Sequence, residues 1–189
     1  MKNKSLIFIF FLFMTIFGSK KVLTNEFIFE TEEIKISNNA NITKAFNGTV
    51  TSKINNFFIK AKEFEYNKKL YLLKVFDGFI KYPNENIEII ANNFEYDEKK
   101  LLFKAYGDVL VKDIAKNISI QSPSISFNLK DKIINSKNYV LIKDFNNDIT
   151  INSKNISYNI KNKIINSKNE TQIEDNIGNS FIAKSFFYK

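Results

Sequence analysis

Residues 131–138 read DKIINSKN, and residues 162–169 read NKIINSKN, nearly the same phrase after a shift of 31. The register extends upstream, where Ile120, Ser122, Ile125 and Phe127 recur as Ile151, Ser153, Ile156 and Tyr158. A related pattern, small-x-x-apolar-x-aromatic, occurs as Ala61, Phe64, Tyr66 and as Ala91, Phe94, Tyr96. It returns as Ala183, Phe186, Tyr188 and has a degenerate copy at Thr31, Ile34, Ile36. Starts at 31, 61, 91, 122, 153 and 183 give a period of 30 or 31. A fixed period of this size means stacked supersecondary units.

Inside a unit the side chains follow period two. Leu101, Phe103, Ala105, Gly107, Val109 and Val111 are alternate residues, all small or apolar, and Lys104, Tyr106, Asp108 and Lys112 lie between them. That is one long half-buried strand, although Leu102 and Leu110 fall on its polar side. Polar clusters at 67–69, 97–100, 129–132 and 160–163 have turn-forming composition. Each unit thus reads as two antiparallel strands of roughly ten to twelve residues. The second halves align as Val109, Val111, Asp113, then Val140, Ile142, Asp144, then Thr171, Ile173, Asp175. Ile59 and Ala61 share one parity while Phe64 and Tyr66 have the other, a switch repeated at 89–96 and 120–127. A bulge there turns the strand while keeping its apolar side inward, so the sheet should bend at each repeat. The expected fold is all-β: stacked antiparallel hairpins of period 30–31.

Composition agrees. Among 189 residues, 44% are hydrophobic and 25% charged, which suits a folded chain rather than a disordered one. The 20 Phe and 8 Tyr, against 5 Gly and 2 Pro, favour strands. The formal charge of +8 is carried entirely by Lys in a chain rich in Asn, Ile and Phe. We read it as partly compositional, with a weak preference for anionic ligands. Neither Cys nor His is present. Disulfides, thiolate nucleophiles, the commonest general base and the commonest transition-metal ligand are therefore missing, and the expectation is a protein without catalysis, metal or cofactor.

At the amino terminus Lys2 and Lys4 precede an apolar stretch from Leu6 to Phe17 that ends in Gly18, Ser19, Lys20 and Lys21. It is shorter than the about 20 apolar residues a bilayer requires and fits a secretory signal, assigned to residues 1–25. An uncleaved anchor is the alternative. Export makes a nucleic-acid partner the weakest reading, and the absence of Arg agrees with that.

The stripe Phe64, Tyr66, Phe94, Tyr96, Phe127 and Tyr158 admits two readings, a closed core or the lining of an apolar path. Asp113, Asp144 and Asp175, one per unit at strand ends, read as solvated turn residues rather than as a calcium ladder.

The segment 90–97, IANNFEYD, followed at 102–109 by LFKAYGDV, resembles the OstA-like repeat of lipopolysaccharide transport proteins: a small residue, then apolar-x-Tyr-Asp, then apolar-x-Ala-x-Gly-x-Val. The ending at 171–175, TQIED, with Gly178-Asn179 and Phe186-Phe187-Tyr188, is similar to the amino-terminal domain of the outer-membrane member of that family, LptD. The resemblance implies an open β-jellyroll over residues 26–189, in the periplasm and associated with the outer membrane. Its interior would shield the acyl chains of lipid A. It would be lined by Phe64, Tyr66, Phe76, Phe94, Tyr96, Phe103, Val109, Val111, Phe127, Val140, Ile142 and Tyr158. The resemblance also implies edge strands that pair with other Lpt proteins or end to end with a second copy, at Phe27, Phe29, Ile34, Ile36, Phe181, Phe186 and Tyr188. A structural β-solenoid or adhesin-like exported repeat protein, without lipid transport, is the alternative.

Overall fold

The computed structural model describes residues 20–23 and 26–189. Apart from residues 20–23, the segment assigned to a signal lies outside the described residues. Among the described residues sixteen strands form one antiparallel sheet. The first eight are β1 (Lys20–Leu23), β2 (Phe27–Ser37), β3 (Ile42–Ser52), β4 (Phe58–Asn67), β5 (Leu72–Tyr82), β6 (Ile87–Asp97), β7 (Leu102–Asp113) and β8 (Ile118–Asn128). The rest are shorter: β9 (Ile133–Ser136), β10 (Val140–Asp144), β11 (Ile149–Ser153), β12 (Ile156–Asn159), β13 (Ile164–Ser167), β14 (Thr171–Glu174), β15 (Ser180–Ala183) and β16 (Phe186–Tyr188). A 3-10 turn, Pro83–Glu85, joins β5 to β6. Among the described residues no helix is long and apolar enough to cross a membrane.

The hairpins are closed by residues that tolerate a left-handed backbone or bond their own turn. Asn56, Asn86, Asn117 and Asp148 sit at φ of 53, 56, 54 and 52°, one per unit along one side. On the other side the side chains of Asn67, Asp97, Asn128 and Asn159 each accept a backbone N–H three residues on, at 3.0–3.1 Å. The turns therefore repeat with the sequence period.

Strands β2 to β8 run unbroken through a corner where the inward parity changes. In β4, Ile59, Ala61, Phe64 and Tyr66 all point inward, as do Val50, Gly48, Ala45 and Thr43 opposite them. The corner is made by left-handed Asn47, Asp77 and Asp108 (φ 49, 50 and 48°), and register shifts mark it between Tyr106 and Val109. It is also crowded. A Cβ on Gly78 would lie 2.5 Å from Ala61 Cβ and 2.5 Å from the Lys60 carbonyl oxygen, so no larger residue fits without moving the neighbouring strand.

After β8 the strands break at the corner, and the sheet divides into two wings. The first half of β8 pairs with β10, and that wing continues through β11, β14 and β15. The second half of β8 pairs with β9, followed by β12, β13 and β16. Short links at 137–139, 154–155, 168–170 and 184–185 join the wings, where long strands join them earlier in the chain. Buried hydroxyls line this part of the corner: Ser153 Oγ donates to Ser167 Oγ at 3.0 Å and lies 3.0 Å from Thr171 Oγ1. Folded over at the corner, the sheet is an open β-jellyroll with an apolar interior.

Candidate functional site

The interior is built from one inward residue in two along every rung. Its first half is aromatic: Phe27, Phe29, Phe57, Phe64, Phe94, Tyr96, Phe103 and Phe127 are at most 2% exposed. Rings from both wings meet there, with Phe27 and Tyr66 at 5.3 Å and Phe57 and Phe103 at 4.9 Å, while Tyr96 stacks at 4.4 Å on Phe103 of the neighbouring strand in its own wing. Its second half is mostly aliphatic, with Ile134, Val140, Ile142, Ile151, Ile156 and Ile165 buried around Tyr158.

Of the residues expected to line the interior, Phe64, Tyr66, Phe94, Tyr96, Phe103, Val109, Val111, Phe127, Val140, Ile142 and Tyr158 are all buried in it. Phe76 is not. It lies on the outer face, 36% exposed, opposite Glu63 and Asn93. The parity change at Asp77 makes Leu73 and Val75 the inward residues of that strand half and leaves Phe76 between inward positions. The side chains of the interior pack on one another in this structure.

Opposite the corner, the free tips of the two wings meet and form a polar rim. Tyr158 Oη donates to the carboxylate of Asp113, 45 residues away, and Lys163 Nζ donates to the same oxygen at 2.9 Å. Tyr188 Oη donates to Asp144, 44 residues away, where Asn147 Nδ2 also donates at 2.9 Å. At the start of the chain Tyr96 Oη and Asn55 Nδ2 donate to Glu26 Oε1 at 3.2 and 2.9 Å, and Ser52 Oγ donates at 2.9 Å. In the unit that carries Phe127 instead of Tyr, the hydroxyl comes from the other wing: Lys132 Nζ donates to Tyr82 Oη and lies 3.8 Å from Glu85. Every unit from Tyr96 onward thus carries a polar bond across the rim, made by the phenol of the repeat at Tyr96, Tyr158 and Tyr188 and by Lys132 with Tyr82 beside Phe127.

The reading of the aspartates as solvated is corrected here. Asp113 is 2% exposed and Asp144 4%, enclosed by their phenol and amide partners. Only Asp175 lies in an exposed turn, bonded to Asn179. Burial, and then the Asp113 carboxylate, push the Tyr158 phenol well above its ordinary value. Burial, and then Asp144, raise Tyr188 to about 12. Burial alone would raise Asp144, but the bonds from Tyr188, Asn147 and the backbone of Asn146 and Asn147 outweigh it and hold the carboxyl below its usual 3.8. Local pattern does not show this pairing, because the partners are separated by 44 or 45 residues. The one available signal was the shared period of the Asp and Tyr positions.

The edges are unequal. β1 pairs with β2 between Ile28 and Thr31, covering the half of β2 that holds Phe29, and both Phe27 and Phe29 are fully buried in the interior. Neither presents itself as a free edge residue in this structure. The other half of β2, with Ile34 and the 54% exposed Ile36, carries no outer strand among the described residues. At the far end β15 and β16 are the last strands of the two wings. There Phe181, Ile182 and Phe187 are 64, 73 and 66% exposed, Phe186 is buried and Tyr188 half-buried.

Fold and site together define a class: a folded-over antiparallel sheet whose apolar interior runs from one open edge to another. Among solved structures the chain is similar to LptH from Pseudomonas aeruginosa, described as the LptA-homologous periplasmic component of the lipopolysaccharide transport device. That similarity has a TM-score of 0.53 at 9% identity, over 67% of this chain and 93% of that one. The likeness establishes the β-jellyroll fold. No protein-family model matches the sequence, and no curated protein matches it.

Proposed function

We propose that this protein is an exported carrier of lipopolysaccharide, holding the acyl chains of lipid A in the jellyroll interior on the way to the outer membrane. The observation that carries the reading is the continuous apolar interior, unclosed at both ends, in a fold shared with a lipopolysaccharide-transport component. The physical need is plain. Each CH₂ exposed to water costs roughly 0.8 kcal/mol, so an acyl chain of about a dozen carbons costs on the order of 10 kcal/mol outside such a lining. Export would be directed by residues 1–25, and the site of action would be the periplasm. Removal of that segment would take β1 with it and uncover the paired half of β2.

The partners in this reading are lipopolysaccharide and other Lpt proteins. Unpaired N–H and C=O groups on β15, β16 and the Ile34 half of β2 suit strand addition by a neighbouring jellyroll or a second copy. The exposed Phe181, which shares the inward parity of Ile173, would continue the interior into that neighbour. Photoreactive residues at Phe94, Phe127 or Tyr158 should capture lipopolysaccharide, and those at the exposed Lys99 or Lys130 should not. Equal capture at both sets would reject the interior as the lipid path.

A further inference from the structure

In this structure the apolar interior is shut on its long side. The rings and aliphatic side chains fill it, and the rim is bonded across at every unit from Tyr96 onward. A chain can reach it only through the ends or by parting the rim. The two halves of the molecule differ in how easily that could happen. Up to β8 the wings are joined by strands that run through the corner, and edge-on ring pairs, Phe27 with Tyr66 and Phe57 with Phe103, bridge them. Beyond β8 they are joined by short links, one of them holding left-handed Asn138 at φ 73°, and the inner side chains are mostly aliphatic. The rim beside these strands is held by two buried carboxylates, Asp113 at the end of β7 and Asp144 at the end of β10, which take the phenols of Tyr158 and Tyr188 from the opposite wing.

From this we infer that the second half of the jellyroll is a side gate, latched by Asp113 with Tyr158 and Lys163 and by Asp144 with Tyr188, through which an acyl chain enters between the wings. The latch is reversible by construction. Its bonds are side chain to side chain, whereas the corner opposite is held by the chain itself, through the links at 137–139, 154–155, 168–170 and 184–185. When the rim parts, water replaces the phenols at Asp113 and Asp144, so the net loss per bond is small beside the gain from covering an alkyl chain. The corner acts as the hinge, and the wing strands move as two bodies without breaking their ladders. This inference rests on the transport reading for what enters, though not for the opening itself.

The test uses the full chain, which has no native Cys. Single cysteines replacing Ala115 and Lys161, exposed turn residues on the two sides of the rim, carry spin labels whose separation is read by electron paramagnetic resonance. Tyr158→Phe with Tyr188→Phe keeps both rings and removes only the hydroxyls. Lys163→Gln, which alters a partly exposed end of the same cluster, serves as a second variant, and circular dichroism checks that each remains folded. We expect the label distances to lengthen and broaden without lipid present. We also expect a photoactivatable lipid A analogue to be captured faster, on the order of tenfold for the double variant, as two lost bonds imply. Unchanged distances in folded variants would overturn the latch. Parted wings with an unchanged capture rate would overturn sideways admission. Parted wings with no capture by either protein would support the latch and overturn the transport reading.

Discussion

Phe94 and Phe76 have the same side chain and opposite fates. Phe94 is 1% exposed in the interior, and Phe76 stands on the outer face. Truncating a buried Phe removes its transfer energy and leaves a cavity. Phe94→Ala should therefore cost about 3–5 kcal/mol of stability in urea unfolding, and Phe76→Ala should stay within about 0.5 kcal/mol of the parent. Comparable losses at both positions would mean that the inward parity is wrong. Most of the interior was legible from alternation alone, since Phe64, Tyr66, Phe94, Tyr96 and Phe127 recur at one point of the unit. Phe76 was not, because a strand that reverses parity at a left-handed Asp looks continuous in sequence. Asp113 and Asp144 were misread for a related reason: a carboxylate after a strand looks like a turn residue until the far wing closes over it.

The rim residues also set a pH window. Tyr188 is raised to about 12 from 10.0, so its contribution is complete below pH 10 and disappears as pH rises toward 12. Asp144 is held below 3.8, so its contribution is complete above that value and disappears as the pH falls further. The stability difference between the parent and Tyr188→Phe should be flat between about pH 5 and 9 and shrink through the alkaline range. A difference that stayed constant to pH 12 would show that the phenol is not perturbed in solution.

Among the elements, β2 to β8 follow the sequence reading closely, at ten to twelve residues each. The later units do not, although they carry the most similar repeats. In them Gly and Ala at the corner are replaced by Ser, Lys and Asn, as at 136–138 and 153–155, and the strand divides there instead of bending. Polar residues at a bend and polar residues at a break have the same composition, which is why the division into wings was not legible. Edge behaviour belongs to this scale too. β15 has one neighbour, β14, and a proline at Ile182 would remove one main-chain donor at a position already at the sheet margin. Ile34→Pro would do the same at the other end, with some loss of its pairing to Ala45. Both variants should keep the central units folded by circular dichroism and weaken association with Lpt partners or a second copy in analytical ultracentrifugation. Full association by both would exclude strand addition at these edges.

At the scale of the whole molecule, the repeat makes length a counted quantity. The longer sheet path holds twelve strands, which at about 4.8 Å apart extends roughly 50 Å along the interior. One unit of 30 or 31 residues contributes two strands, hence about 10 Å, and ends at the same left-handed turn at which the next begins. The matching phrases at 131–138 and 162–169 occupy equivalent places, from the turn into β9 and from the turn into β13. Duplicating or deleting the residues between them would join like to like, so the molecule can be lengthened or shortened as a ruler is, in whole divisions, with its cross-section unchanged.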